Sequence, residues 1–302
     1  MHIPASMLHG RVCPVTLAVG VATCATAAYF ASRQEEKPSA AKFAIVTSLV
    51  FAMQMLNFPV QNGTSGHLLG GMLAVALLGI PYSVLSIALV LAVQAFFFGD
   101  GGVNALGANV LNMGLIGSAC AGLLFQTFEK KGMPKTISLA MASWISVVLA
   151  SLACSFEVTI SGAVEFSKVI PAMLSVHALI GIGEAIFTIC IVTMVSKIAQ
   201  VWKANENAVT FASFVLAIMA AMISPLASKF PDGLEWVAGR LSFSEFQGFR
   251  LPVLFPDYQV AFIGNTSLAT IFAGLVGICL VGMAAFVTGL FIRKATVQYG
   301  CQ

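Results

Sequence analysis

Apolar runs of roughly 20 residues, the length a helix needs to cross the hydrocarbon of a bilayer, recur from one end of this chain to the other. They occupy residues 12–32, 41–57, 67–80, 82–98, 107–128, 136–156, 169–199, 208–226 and 268–292. In lipid, every backbone N–H and C=O must find its partner within the protein, so the runs predict helices. The runs 67–80 and 82–98 are short and divided by Pro81, which predicts tilted or partly re-entrant segments. Only 9% of the 302 residues are charged, against about 25% in an ordinary soluble domain. That excludes a large soluble catalytic domain.

The expected fold class is an all-α integral membrane protein. About seven helices form a core over residues 1–203. Residues 204–302 follow as a second unit, two membrane helices flanking an outer loop at 227–267. The polar KANENA segment marks the boundary. The loop holds proline, glycine and acidic residues (KFPDGLEWVAGR), which predicts a small folded domain rather than a span. The net charge of +3 is small and dispersed, giving no reason to expect nucleic acid. Its partner by composition is membrane lipid. The cysteines (Cys13, Cys24, Cys120, Cys154, Cys190, Cys279, Cys301) form no C-x-x-C pair and read as small packing residues.

Lys and Arg set the orientation. With the N-terminus outside, the cytoplasmic ends carry Arg33, Lys37, Lys42, Lys130, Lys131, Lys135, Lys197, Lys203, Arg293 and Lys294. The outer side carries Arg11, Lys168, Lys229, Arg240 and Arg250. This two-to-one bias fits the positive-inside rule and predicts a cytoplasmic C-terminus.

The chain begins MHIP. A cleaved leader would use Arg11 and the apolar stretch 13–31. Retention is favoured, because that stretch is long enough to span and ends in the interfacial RQEEK. Methionine is normally kept before a large residue such as His2. The Met1 amine, the deprotonated His2 amide and the His2 imidazole then form fused five- and six-membered chelate rings. Planar nitrogen donors of this kind suit Ni(II) or Cu(II) and select against Zn, Mg and Ca. Pro4 stiffens the chain just beyond.

A fourth nitrogen is needed. His67, in QNGTSGHLLGG, is expected at the outer end of a helix, on the same side as Met1. Alone it reads equally well as a hydrogen-bonded interfacial histidine; paired with MHIP, the ligand reading is favoured. His9 is expected at the surface. His177 and Glu184 lie two turns apart on one helix face. They read as a buried polar network, or as outer-shell partners of the metal site. Gln54, Asn57 and Asn112 read as packing or network residues. Asp232, Glu235 and Asp257 are expected to be solvated, with no ligand role.

Four stretches together resemble one family: MHIP, FPVQNGTSGHLLGG at 58–71, HALIGIGEAIFT at 177–188 and SKFPDGLEWVA at 228–238. They resemble the substrate-binding membrane subunit of cobalt/nickel energy-coupling-factor (ECF) transporters, the CbiM/NikM family, over residues 1 to about 200. The region 208–292 looks like a PDGLE-type accessory subunit fused to it. The resemblance implies that Met1, His2 and His67 hold Ni(II) or Co(II) as transported substrate, with no organic cofactor. It also implies a transmembrane coupling subunit and two cytoplasmic ATPase subunits as partners, in a prokaryotic cell membrane. The chain has no GxxxxGK[ST] motif of its own, which fits a transport subunit rather than an enzyme. Ala18, Ala22 and Thr26 form a small-residue ridge for a partner helix or for packing within the chain. Ala5 and Ser6 depart from the family pattern, which usually has an acidic residue and glycine there. The rival readings are a secondary transporter relaying protons through His177 and Glu184, and a membrane-embedded metalloenzyme.

Overall fold

The computed structural model describes residues 1–201, 205–243 and 252–299, with side chains to residue 294. Lys203, Arg250, Cys301 and parts of the 227–267 loop and the KANENA segment lie outside the described residues.

The helices are α1 (Val12–Arg33), α2 (Ala40–Gln54), α3 (Gly71–Leu78), α4 (Ile80–Phe98), α5 (Leu106–Lys130), α6 (Lys135–Ile160), α7 (Phe166–Val201), α8 (Glu206–Leu226), α9 (Gly233–Leu241) and α10 (Thr266–Tyr299). Among the described residues, 7 of these are long and apolar enough to cross a membrane: α1, α4 to α8, and α10. An antiparallel hairpin, β1 (Phe58–Pro59) with β2 (Ser65–Gly66), lies between α2 and α3. Its turn carries Asn62 and Gly63, both at positive φ (55° and 75°), as a type I′ turn requires.

Two expected spans fall short: 41–57, whose helix α2 has 15 residues, and 67–80, the run expected to be tilted or partly re-entrant. In the run 67–80, residues 67–70 are loop and α3 has 8 residues, a length of only about 12 Å. Gly79, at φ 82°, redirects the chain into α4. Pro81 sits in the first turn of α4, where its missing N–H costs nothing. His67 therefore lies in the loop before α3, not at a helix end.

The 15-residue α2 is buried from Val46 to Gln54 on every face, as suits a helix surrounded by others. Helices α8 and α10 pack against it. Ser48 donates to the Ile278 carbonyl of α10 (2.9 Å). At the far end, Glu206 accepts from the Ser39 N–H (2.6 Å) and Arg293 donates to the Pro38 carbonyl (3.2 Å). The N-terminal arm, the hairpin, residues 99–105 and the segment around α9 gather at the opposite end.

Helix α1 is peripheral. Val15, Leu17, Val19 and Val21 are exposed, while Thr16, Gly20, Ala27 and Ala31 are buried. Ala18, Ala22 and Thr26 also face outward, so packing within the chain is not their role. Gly20 meets Gly107 of α5 instead, and a Cβ on Gly107 would collide with the Leu17 backbone. Backbone cannot rotate aside as a side chain can. Gly107→Ala is therefore expected to cost about 1–3 kcal/mol, read as a lower unfolding temperature in detergent. An unchanged temperature would refute this close crossing.

Candidate metal centre

The N-terminal arm is threaded into the protein rather than left free. Ile3 is fully buried. Its N–H donates to Asn109 Oδ1 (2.9 Å), and its carbonyl accepts from Gly102 N (2.8 Å) and Asn109 Nδ2 (3.3 Å). Asn104 donates to the carbonyls of Ala5 (3.0 Å) and Leu8 (3.2 Å). Residues 102–109 thus hold both sides of the arm. Met7 N–H closes a turn onto the Pro4 carbonyl (3.1 Å).

This clamp buries Met1 and His2 beside His67. The Met1 amine nitrogen contacts His67 Nε2 directly. The His2 and His67 rings stack, with centroids 4.8 Å apart and planes inclined by 14°. His67 Nδ1 donates to the Leu68 carbonyl (2.9 Å); in a neutral ring that bond leaves Nε2 as the lone-pair nitrogen. His2 Nδ1, the atom that would close the six-membered ring, lies 3.2 Å from Asp100 Oδ1. His2 Nε2 is buried with no hydrogen-bond partner.

The His67 loop is fixed from α7. Glu184, fully buried, accepts from Leu69 N (2.6 Å) and Gly70 N (3.0 Å). Gly70 is left-handed (φ 75°), a conformation that glycine adopts without strain. Gln54 donates to the Leu69 carbonyl (2.7 Å). His177 does not join Glu184. It donates to the Met173 carbonyl (2.9 Å), and its other nitrogen is buried against Gly233. Asn112 donates to Glu157 (2.6 Å), a separate polar pair between α5 and α6. Asn57, past the end of α2, accepts from Ser228 N through its carbonyl (2.8 Å). His9, expected at the surface, is half-buried, with its N–H on Ser161 Oγ (2.8 Å).

Asp232 overturns an expectation. Rather than being a solvated loop residue, it lies 3.1 Å from the Met1 amine and 3.8 Å from His67 Nε2, with its side chain 13% exposed. It gets there by β-pairing: residue 232 bridges Ser65 in parallel, Ser65 N donates to the Pro231 carbonyl (2.9 Å), and Ser65 Oγ donates to Phe230 (2.7 Å). Asp232 also caps α9 in a reciprocal box with Glu235. The D-x-x-E spacing ahead of an apolar run carried that signal in the sequence. Asp100 was missed altogether. It is held by Tyr258, whose hydroxyl donates to Oδ2 (2.7 Å).

Burial lowers the His2 imidazole to about 4, outweighing Asp100 beside it, so the ring is neutral and keeps a lone pair at physiological pH. Burial alone would raise Asp232, but the terminal amine and His67 hold it well below the usual carboxylate range. Burial likewise opposes the ionisation of Asp100, yet His2, His67 and the Tyr258 hydroxyl keep it lowered. The two histidines are thus flanked by the carboxylates of Asp100 and Asp232. Among the described residues, no group of three or more His, Cys, Asp and Glu side chains is placed to hold a metal.

A family model described as the cobalt uptake substrate-specific transmembrane region, CbiM, matches residues 2–202. A second, the PDGLE domain, matches residues 207–294. The chain is 31% identical to a protein of Archaeoglobus fulgidus whose name assigns it to nickel transport as a fused NikMN, covering 98% of this chain and 100% of that one. It is 28% identical to the fused nickel transport protein NikMN of Rhodobacter capsulatus, covering 93% and 95%. The crystal structure of a truncated transition metal transporter aligns with a TM-score of 0.59 at 29% identity, over 65% of this chain and 99% of that one.

Proposed function

Because the chain belongs to the CbiM family of cobalt-uptake transmembrane proteins, we propose that it captures Ni(II) or Co(II) from outside the cell and delivers it inward within an ATP-driven ECF importer. It is a multi-pass transport protein, not an enzyme. In this reading the ligands are the Met1 amine, the His2 amide and imidazole, and His67. Residues 1–203 are the metal-binding core and 204–302 the accessory unit. The observation that carries it is the buried meeting of the chain's own terminal amine with His67 Nε2. The Lys and Arg bias supports a reading in which that end of the bundle lies outside. Two ATPase subunits and a coupling subunit complete the importer, and the outward ridge at Ala18 and Ala22 offers a partner helix close approach. A proton relay has no support, since His177 and Glu184 are each committed to a different backbone segment.

Two measurements test this. The purified protein with its native terminus should hold nickel in a diamagnetic, yellow-to-orange complex, as a planar nitrogen set requires; a paramagnetic, oxygen-rich spectrum would contradict it. Cells carrying the chain should accumulate metal only alongside the ATPase subunits. Uptake that persists unchanged without them would sink the ECF mechanism.

A further inference from the structure

Asp232 is placed for more than capping a helix. Its two oxygens are divided between tasks. Oδ1 accepts from Glu235 N (2.8 Å) and belongs to α9, whereas Oδ2 faces the Met1 amine and His67 Nε2. An anionic oxygen therefore stands against two of the nitrogens that would share a metal. It is also firmly seated. The Ser65 contacts fix residues 230–232, and Gly233 rests on α7. A Cβ on Gly233 would come within 2.8 Å of Ile180 Cδ1 and 2.9 Å of His177 Cε1. Exposure is graded across the centre. The Met1 and His67 side chains are 2% and 5% exposed, Asp232 is 13% and Asp100 is 29%. Solvent thus reaches the carboxylates before the nitrogens.

We propose that Asp232 is the carboxylate that first receives the incoming divalent nickel or cobalt ion and passes it to the nitrogens of Met1, His2 and His67. The C-terminal unit would then set the rate of capture. This rests on the chelate reading above and extends it. A hydrated divalent cation exchanges water for carboxylate oxygen, then oxygen for nitrogen; the protons displaced from the amine and the His2 amide pass to water. An anion lining a cleft raises the local cation concentration and speeds arrival by roughly 10–10³-fold. The finished complex is held by nitrogen. Removing Oδ2 should therefore slow association and leave dissociation alone. A residue that only held the amine in place would, when lost, loosen the finished complex.

The test uses the full chain with its native terminus in lipid nanodiscs. Nickel association is followed by stopped-flow absorbance, and dissociation by capture with a chelator. Asp232→Asn and Asp232→Ser both keep an oxygen for the Glu235 N–H, so α9 stays capped. Each is expected to lower the association rate by about tenfold or more, with dissociation within about twofold of wild type. Unchanged association, or an affinity loss carried by faster dissociation, would overturn the proposal. A wild-type protein that fails to hold nickel would instead defeat the chelate reading itself.

Discussion

Acetylating the terminal amine, or placing one residue ahead of Met1, is expected to abolish tight nickel binding by the intact protein. An acetylated nitrogen loses its basic lone pair, and with it the five-membered ring. The blow is also steric. Met1 is buried, its nitrogen in contact with His67 and 3.1 Å from Asp232. An added residue has no room unless the arm withdraws, and withdrawal breaks the pairing of Ile3 with Asn109 and Gly102. It would also leave Asp232 as a nearly buried carboxylate without its cationic partner, a costly state. His67→Ala removes the fourth nitrogen and should weaken binding beyond the roughly 10–100-fold typical of losing an outer-shell partner. Titration of purified protein, with mass spectrometry confirming the state of the terminus, reads both. A tagged or acetylated protein that still bound nickel tightly would refute the chelate.

The spans were legible because a bilayer imposes one requirement everywhere, and length with hydropathy reports it. One exception is instructive. Residues 67–70 belong to an apolar run, yet Leu68 and Leu69 are 1% exposed because protein covers them. Hydropathy cannot tell a loop buried in protein from a helix buried in lipid. The same limit applies to the candidate centre. Met1 and His2 could be proposed as ligands because their donors are adjacent in the chain, and His67 because a motif surrounds it. Asp232 could not, since its place depends on a strand pairing with Ser65 that no local pattern encodes. Asp100 is held by Tyr258 across a separation of 158 residues. Tyr258 reaches it from a backbone at φ 56°, a conformation uncommon for a bulky residue.

Glu184→Ala should weaken metal binding by about 10–100-fold, although Glu184 touches none of the proposed ligands. Its two oxygens accept the N–H groups of Leu69 and Gly70, at the turn that aims His67 toward the terminus. Without the carboxylate, two buried donors are left unsatisfied, at about 1–3 kcal/mol each. The cheapest relief is for residues 68–70 to move, and His67 moves with them. Glu184→Gln separates this role from a proton relay. A side-chain amide offers one acceptor oxygen and turns an NH₂ toward the second N–H, so the clamp fails on that side and affinity falls with the alanine variant. In a relay, the glutamine would instead keep metal binding while stopping transport. Binding and uptake should therefore decline together in both variants. Intact nickel affinity in Glu184→Gln with uptake lost would assign Glu184 to proton movement and leave the His67 loop to be held by Gln54.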